Sequence, residues 1–246
     1  MSVRYTIIDS HRNMSRKRRE DLCDFFEEVK GIGKEDAEQQ VVFCDWYESE
    51  YAVKWFEVLA TVDGHIAGYI RSFRNPDDVR QWYIGDVHVR KGYRRLGIAT
   101  GMYEKAFKEY ERYEAAENVV AAVRRDNMNS IGLHKKTGFE DTGELLEFAD
   151  FFADENETKY IKWLYRYFPV PEKAKTDKLM EMFLPIWTGS AGKGTPGGLK
   201  AILKKVKSKE SDAETIWCGN RLVGFTYTAE GEVVEVRTSG YADRDN

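Results

Sequence analysis

Residues 87–100 read VHVRKGYRRLGIAT, and this stretch decides the fold of the chain. It begins with the apolar alternation of a β-strand, passes through a basic turn and enters a long amphipathic helical pattern. Gly97 stands at the turn, where a residue without a Cβ lets several backbone N–H groups converge on one point. Because the positive end of the helix dipole faces the same turn, the segment predicts a pyrophosphate-binding site.

The spacing excludes two common phosphate-binding loops. No Lys-Ser or Lys-Thr follows Gly97, as a GxxxxGK[ST] loop requires, and GxGxxG is also missing. The string Arg94-Arg95-Leu96-Gly97-Ile98-Ala99 instead resembles the Arg-x-x-Gly-x-Ala signature of the GCN5-related N-acetyltransferase (GNAT) family. Members of that family bind the pyrophosphate of acetyl-CoA in this turn.

Two neighbouring motifs extend the resemblance. Upstream, Asp86-Val87-His88-Val89 resembles the end of the family's fourth strand, although Lys91 replaces the usual proline. Downstream, residues 127–139 read NMNSIGLHKKTGF and resemble the family motif Asn-x-x-Ala-Ile-x-Leu-Tyr-x-Lys-x-Gly-Phe. Serine stands where alanine is common. His134 stands where tyrosine is common, and this departure bears on the mechanism.

The resemblance implies an α/β fold of GNAT type, with a mixed, central twisted sheet flanked by helices, over residues 1–165. Residues 166–246 are expected to form a C-terminal α+β extension. Local patterns supply the elements. Strands are predicted at residues 3–8, 55–62, 66–73, 83–89, 119–123, 144–152 and 159–164, and helices at residues 15–30, 34–51, 98–110 and 130–136.

The extension contains a predicted helix at residues 177–186, a glycine-rich loop at 189–198 and a lysine-rich helix at 199–209. Residues 216–227, IWCGNRLVGFTY, echo residues 60–70, ATVDGHIAGYI, in alternation and turn. Two interpretations stay open, a degenerate half of a second GNAT unit and an ordinary hairpin. In either interpretation, the extension is expected to complete a sheet, to form a homodimer contact or to border the acceptor site.

The resemblance implies that acetyl-CoA is the co-substrate. Three cysteines lie far apart without a CxxC pair, so no metal site is expected. The expected cofactor-binding residues are Val87, His88, Val89, Arg94, Arg95, Leu96, Gly97, Ile98, Ala99, Thr100 and Asn127.

Amine acetylation requires a proton acceptor, donors for an oxyanion and a way to neutralise the departing thiolate. We expect Asp86 to accept the amine proton or to hold the ammonium. His88 is the rival base, since strand alternation places both side chains on one face. The resemblance gives His134 the position from which the thiolate is protonated; the alternative is a histidine that packs on CoA without titrating.

Length and composition limit the number of domains, the location of the protein and its binding partners. The 246 residues, 42% of them hydrophobic, are enough for one domain with an extension or for two domains. Neither a signal peptide nor a membrane-spanning run is apparent, so we expect a soluble, cytoplasmic protein. Nucleic-acid binding is not expected, because no fold motif or interleaved aromatic residues accompany the lysines.

The sequence therefore predicts an enzyme, an acetyl-CoA-dependent N-acetyltransferase that acts directly on a primary amine. A small molecule (aminoglycoside-like or polyamine-like) and a lysine side chain both stay open as acceptors. Residues 141–157 hold seven acids and no base, which would attract a cationic amine if they face the acceptor cleft; the alternative is an exposed acidic loop. A non-catalytic CoA-binding regulatory module is the alternative function.

Overall fold

The computed structural model describes residues 2–12, 14–113, 116–148, 151–170, 175–189, 199–200, 203–204, 212–218, 221–229 and 231–237. The chain divides into two compact units, with a boundary between Trp163 and Leu164. This position is close to the domain boundary predicted after residue 165. Within the described residues, no helix is long and apolar enough to cross a membrane.

In the described residues of the first unit, nine strands and four α-helices follow one another in the order β1-α1-α2-β2-β3-β4-α3-β5-α4-β6-β7-β8-β9. The helices are α1 (Arg16–Lys30), α2 (Lys34–Tyr51), α3 (Ile98–Tyr110) and α4 (Met128–Lys136). The strands are β1 (Val3–Ile8), β2 (Trp55–Val62), β3 (His65–Arg74), β4 (Gln81–Val89), β5 (Asn118–Arg124), β6 (Glu140–Asp141), β7 (Glu147–Phe148), β8 (Phe151–Phe152) and β9 (Glu157–Trp163).

Seven of these strands form one mixed sheet in the order β1-β2-β3-β4-β5-β9-β6. The β4–β5 pair is parallel and the other pairs are antiparallel. Helix α1 packs on α2 and β3, while α3 packs on β1 to β4. The predicted α/β class with a central sheet and flanking helices is therefore confirmed.

Local chemistry explains why the element boundaries were predictable. The Ser15 hydroxyl accepts a hydrogen bond from the Arg18 N–H and caps α1. Gly31 ends that helix with φ of 65° and donates its N–H to the Glu27 carbonyl. Between β2 and β3, Asp63 and Gly64 both have positive φ, as the predicted tight hairpin turn requires.

A β-bulge interrupts β4. Arg71 of β3 faces Gly85, and Tyr69 faces His88, so two residues of β4 oppose Ile70 alone. Asp86, one of the two, has φ of 50°. The uninterrupted alternation predicted for residues 83–89 is therefore wrong, because the bulge inserts one residue into the strand.

The single strand predicted at residues 144–152 is also wrong. The chain turns at Gly143, whose φ is 72° and whose N–H donates to the Asp141 carboxylate. It then forms the β7–β8 hairpin, beside which the Ala153 N–H donates to the Leu146 carbonyl. The predicted span is not one strand, because residues 147–148 pair antiparallel with residues 151–152 and the chain reverses between them.

The second unit contains α5 (Lys175–Gly189) and four described strands: β10 (Tyr165–Pro169), β11 (Ala213–Cys218), β12 (Arg221–Ala229) and β13 (Glu232–Arg237). The strands form an antiparallel sheet in chain order. Leu179 and Phe183 of α5 pack with Phe225 and Tyr227 in its core. Gly189, predicted to begin the glycine-rich loop, instead ends α5. The rest of that loop and most of the predicted lysine-rich helix lie outside the described residues.

The strands of the second unit repeat those of the first half of the first unit. Strands β10 to β13 follow the sheet order of β1 to β4, with a helix after the first strand in both. Each unit also has a β-bulge at the same place in its hairpin. In the first unit Ala60 pairs with Gly68, and the register skips Ala67 just before this glycine. In the second unit Ile216 pairs with Gly224, and the register skips Val223 just before this glycine. We infer that the extension is a degenerate half-unit. Its last strand pair runs without a register shift.

Gly68 supplies a stability test of the packing between β3 and α3. A Cβ there would lie 3.0 Å from Ile98 Cγ2 and 3.0 Å from Met102 Sδ. We expect Gly68→Val to lower the free energy of unfolding by about 1–3 kcal/mol through overpacking. Gly92→Val is the control, since a Cβ at residue 92 meets nothing within 4 Å. Urea denaturation measures both, and equal losses would contradict the packing argument.

Candidate functional site

A groove of about 700 Å³ opens between β4, α3 and α4. Every predicted cofactor-binding residue except Leu96 lines it, and Leu96 is half exposed instead. The lining also includes residues that the sequence analysis did not single out for cofactor binding. These are Tyr93, Asn129, Ser130, Gly132, Leu133 and Lys136.

The basic turn places open hydrogen-bond donors at one end of the groove. Arg95 and Gly97 have φ of 65° and 78°, so the chain turns sharply before α3. Helix α3 begins with neither a side-chain cap nor an acidic residue in its first turn. Its first N–H groups and the positive end of its dipole therefore suit an anionic diphosphate. Arg94 is held by a 3.1 Å hydrogen bond from its Nε to the Val89 carbonyl.

The β4 residues that line the groove lie beyond the point where β4 pairs with β5. Parallel pairing joins residues 81–83 to residues 118–120 and stops there, although both strands continue. The edge of β4 beyond this point suits an extended amide-containing chain, which can pair as an added strand. Across the groove, Asn127 caps α4 by accepting a 3.1 Å hydrogen bond from the Ser130 N–H. It therefore lies at a helix start rather than within a strand.

A second cavity, of about 450 Å³, adjoins the same segment of β4. Gly85 and Asp86 line this cavity, and the next three residues line the groove, so both border the bulged segment of β4. Most of the cavity wall is aromatic. Its lining residues are Gln40, Phe43, Trp46, Tyr47, Tyr51, Arg71, Phe73, Tyr83, Gly85, Asp86 and Phe148.

Helix α2 supplies five of these lining residues, and the sequence analysis missed this role. Gln40, Phe43, Tyr47 and Tyr51 follow one another at spacings of three, four and four, which place them along one helix face. The signal was present in the sequence. It was hidden because buried residues such as Val41 and Cys44 give the same helix a second apolar face toward the core.

Asp86 lies among cationic and basic groups. Its carboxylate accepts hydrogen bonds of 2.9 Å from Lys30 Nζ and 3.0 Å from an Arg71 NH group, and His88 Nε2 lies 3.7 Å away. Burial by itself would raise the pKa of Asp86, but His88, Arg71 and Lys30 outweigh it and hold the pKa well below its usual range. The carboxylate therefore stays ionised and is a weak proton acceptor.

Arg71 connects Asp86 to a carboxylate in the core. Glu57 is fully buried and accepts hydrogen bonds from the Tyr69 hydroxyl and from Cys44 Sγ at 3.1 Å. His11 Nε2 lies 2.8 Å from Glu57 Oε2, and Arg71 Nε lies 3.5 Å from Oε1. Burial opposes the charge of Glu57, yet these partners lower its pKa below the ordinary value.

His134 does not line the groove, and its side chain is buried. Its Nε2 lies 2.9 Å from the Tyr103 hydroxyl, and its Nδ1 lies 2.8 Å from the Ser130 carbonyl. Burial lowers the pKa of His134, although the hydrogen bond to Ser130 opposes this effect. This geometry matches a neutral packing histidine and gives no support to protonation of a thiolate by His134.

The described acids of residues 141–157 do not contribute a carboxylate to the cavity lining. Asp150 lies outside the described residues. The described acids are exposed, with Glu157 partly buried, and several bind within their own loop, as Asp154 does with Asn156. This arrangement fits the exposed acidic loop. In the described part of the chain, no group of three or more His, Cys, Asp or Glu residues is arranged to hold a metal ion.

Comparisons with known proteins agree with this geometry. Residues 18–139 match the family described as "Acetyltransferase (GNAT) family". The N-alpha-acetyltransferase of Sulfurisphaera tokodaii is 33% identical over 121 residues, which are 46% of this chain and 69% of that protein. The N-alpha-acetyltransferase of Saccharolobus solfataricus gives the same identity and coverage. A GNAT-family crystal structure from Desulfovibrio desulfuricans has a TM-score of 0.51 at 14% identity and covers 66% of this chain and 99% of that one.

The buried Glu57 gives stability a defined pH dependence. Its folded-state pKa lies below the unfolded value of about 4.3, so its contribution is present above pH 4.3 and is lost as the pH falls through the folded pKa. We expect Glu57→Gln to destabilise the fold by about 1–3 kcal/mol at pH 7. The difference from the original protein should shrink at pH 3.5. Exposed Glu38→Gln is the control, and a pH-independent gap would contradict the assignment.

Proposed function

This chain belongs to the acetyltransferase (GNAT) family, and on that premise we propose that it transfers the acetyl group of acetyl-CoA to a primary amine bound in the aromatic cavity. Family membership makes the chain an acyltransferase with acetyl-CoA as its co-substrate. The acceptor is the part proposed here. The observation that carries the proposal is that consecutive residues of the β4 bulge border first the cavity and then the groove.

In this proposal the groove holds acetyl-CoA. The amino terminus of α3, with Arg94 and Arg95 beside it, binds the pyrophosphate. The backbone at residues 87–89 pairs with the pantetheine arm, and Asn127 borders the arm from the opposite side of the groove. The arm then directs the thioester toward the bulge, where the cavity begins.

The reaction joins the amine nitrogen to the thioester carbonyl carbon, breaks the carbon–sulfur bond and releases CoA as the thiolate. The amine loses one proton to a base. We assign this base to His88, because imidazole accepts protons near neutral pH and its Nε2 lies 3.7 Å from Asp86. The ionised Asp86 orients the imidazole and stabilises the cation that forms, as a carboxylate does in other base–orienter pairs.

The names of two relatives support a second kind of acceptor, a protein N-terminus. Two relatives at 33% identity bear the name N-alpha-acetyltransferase, which favours the α-amino group of a protein N-terminus. The regulatory-module alternative has no comparable support. Acetyl transfer catalysed above the background rate would reject that alternative, and binding of acetyl-CoA without turnover on any amine would favour it.

Gly97→Glu tests the cofactor site. A side chain at φ of 78° is strained, and a carboxylate there would repel the pyrophosphate. We expect isothermal titration calorimetry to show loss of acetyl-CoA binding by at least tenfold, with far-ultraviolet circular dichroism unchanged. Gly92→Glu is the matched control, because residue 92 faces open space and does not line the groove. Equal affinities in the two variants would contradict the site.

The roles of His88 and Asp86 separate in steady-state kinetics. We expect His88→Ala to lower kcat/KM for the amine by about 10²-fold, since a general base contributes at least this much. Asp86→Asn should lower kcat/KM less, because the imidazole remains. The reverse ranking would return the proton-accepting role to Asp86.

A further inference from the structure

Most of the residues that line the proposed acceptor cavity are aromatic. The Phe43 ring lies 5.8 Å from that of Phe73, and the Tyr47 ring lies 4.4 Å from the same Phe73. On the β4 side, the Tyr83 ring lies 5.2 Å from that of Phe148. Such surfaces bind apolar rings and attract a cation to their faces.

Glycine at position 85 preserves one wall of this cavity. A Cβ at residue 85 would lie 2.7 Å from Tyr83 Cε1, so any other residue there would displace the Tyr83 ring. The aromatic wall and the bulge are thus coupled through consecutive residues of one strand. A ligand packed on Tyr83 lies against the strand that continues into the cofactor groove.

The charges of the cavity exclude a strongly polycationic acceptor. Among the described residues that line the cavity, Asp86 is the one carboxylate, and it already binds the cations of Lys30 and Arg71. Gln40 joins the same cluster by accepting a 2.9 Å hydrogen bond from Lys30. A polyamine or aminoglycoside would need several carboxylates for its ammonium groups, and this lining does not supply them.

We propose that the acceptor presents a primary amine two or three bonds away from an aromatic ring, the ring lying in the aromatic cavity and the amine at the β4 bulge. This inference rests on the acetyl transfer proposed above. A volume of about 450 Å³ is within the range of small-ligand sites and accommodates one- and two-ring groups. Either a free arylalkylamine or an N-terminal aromatic residue carries this chemistry.

A panel of amines tests the inference, with acetylation followed by release of free CoA thiol. Phenethylamine and tryptamine are compared with butylamine and spermidine, and a peptide that begins with Phe is compared with one that begins with Ser. We expect kcat/KM to be at least tenfold higher for each aromatic member than for its non-aromatic counterpart. The ratio of kcat/KM for phenethylamine to kcat/KM for the Phe peptide shows whether the ring belongs to a free amine or to an N-terminal residue.

Trp46 provides a variant that leaves the fold intact. Its side chain is 51% exposed and its ring lies 5.4 Å from that of Phe43 at the cavity wall. We expect Trp46→Ala to raise KM for phenethylamine about 3- to 10-fold, with KM for acetyl-CoA unchanged and Trp46→Phe largely restoring the value. Trp163→Ala is the matched control, since Trp163 is 58% exposed and does not line the cavity.

Two results would overturn the inference without touching the proposed function. Butylamine or spermidine reacting as well as phenethylamine would show that the ring is not recognised. An unchanged KM for phenethylamine in Trp46→Ala would show that the ring does not bind there. By contrast, acetyl-CoA binding without acetylation of any amine would overturn the proposed function itself.

Discussion

The β-bulge in β4 is the constraint on which the site depends. Two residues of β4 oppose Ile70 alone, and pairing with β5 has already stopped at Tyr83. An inserted residue bends a strand and redirects its side chains. Here it directs Asp86 toward Lys30 and Arg71 while the next residues border the groove. The second unit shows the contrast, because its corresponding strand pair has no register shift and it lacks the Arg-x-x-Gly-x-Ala turn.

The buried charges behind the bulge explain how a residue with positive φ is held in place. Glu57 and Arg71 are both buried, and isolated charges at such positions would cost several kcal/mol each. They are retained because each has several partners, so the guanidinium of Arg71 connects Glu57 in the core to Asp86 at the cavity. Removing one partner leaves the others uncompensated. The network thus couples the stability of the first unit to the geometry of its site.

The sequence predicted features that depend on short stretches of chain. The ends of several elements are marked by the local chemistry of Ser15, Gly31 and the Asp63-Gly64 turn. The signature at residues 94–99 was enough to indicate the family. The bulge was not predictable, because it arises from the pairing of β4 with β3 rather than from β4 alone. The burial of His134 likewise depends on Tyr103 and Tyr160 from distant segments. The aromatic face of α2 could have been found from its spacing, but nothing local showed that it borders a cavity.

In the proposed function, the groove and the aromatic cavity form one continuous site across the bulge. A conjugate in which the CoA sulfur is joined through an acetyl group to the nitrogen of phenethylamine tests this directly by calorimetry. If the two cavities are continuous, the conjugate should bind at least 10²-fold tighter than CoA, because the second contact becomes intramolecular. Binding no tighter than that of CoA itself would contradict the account.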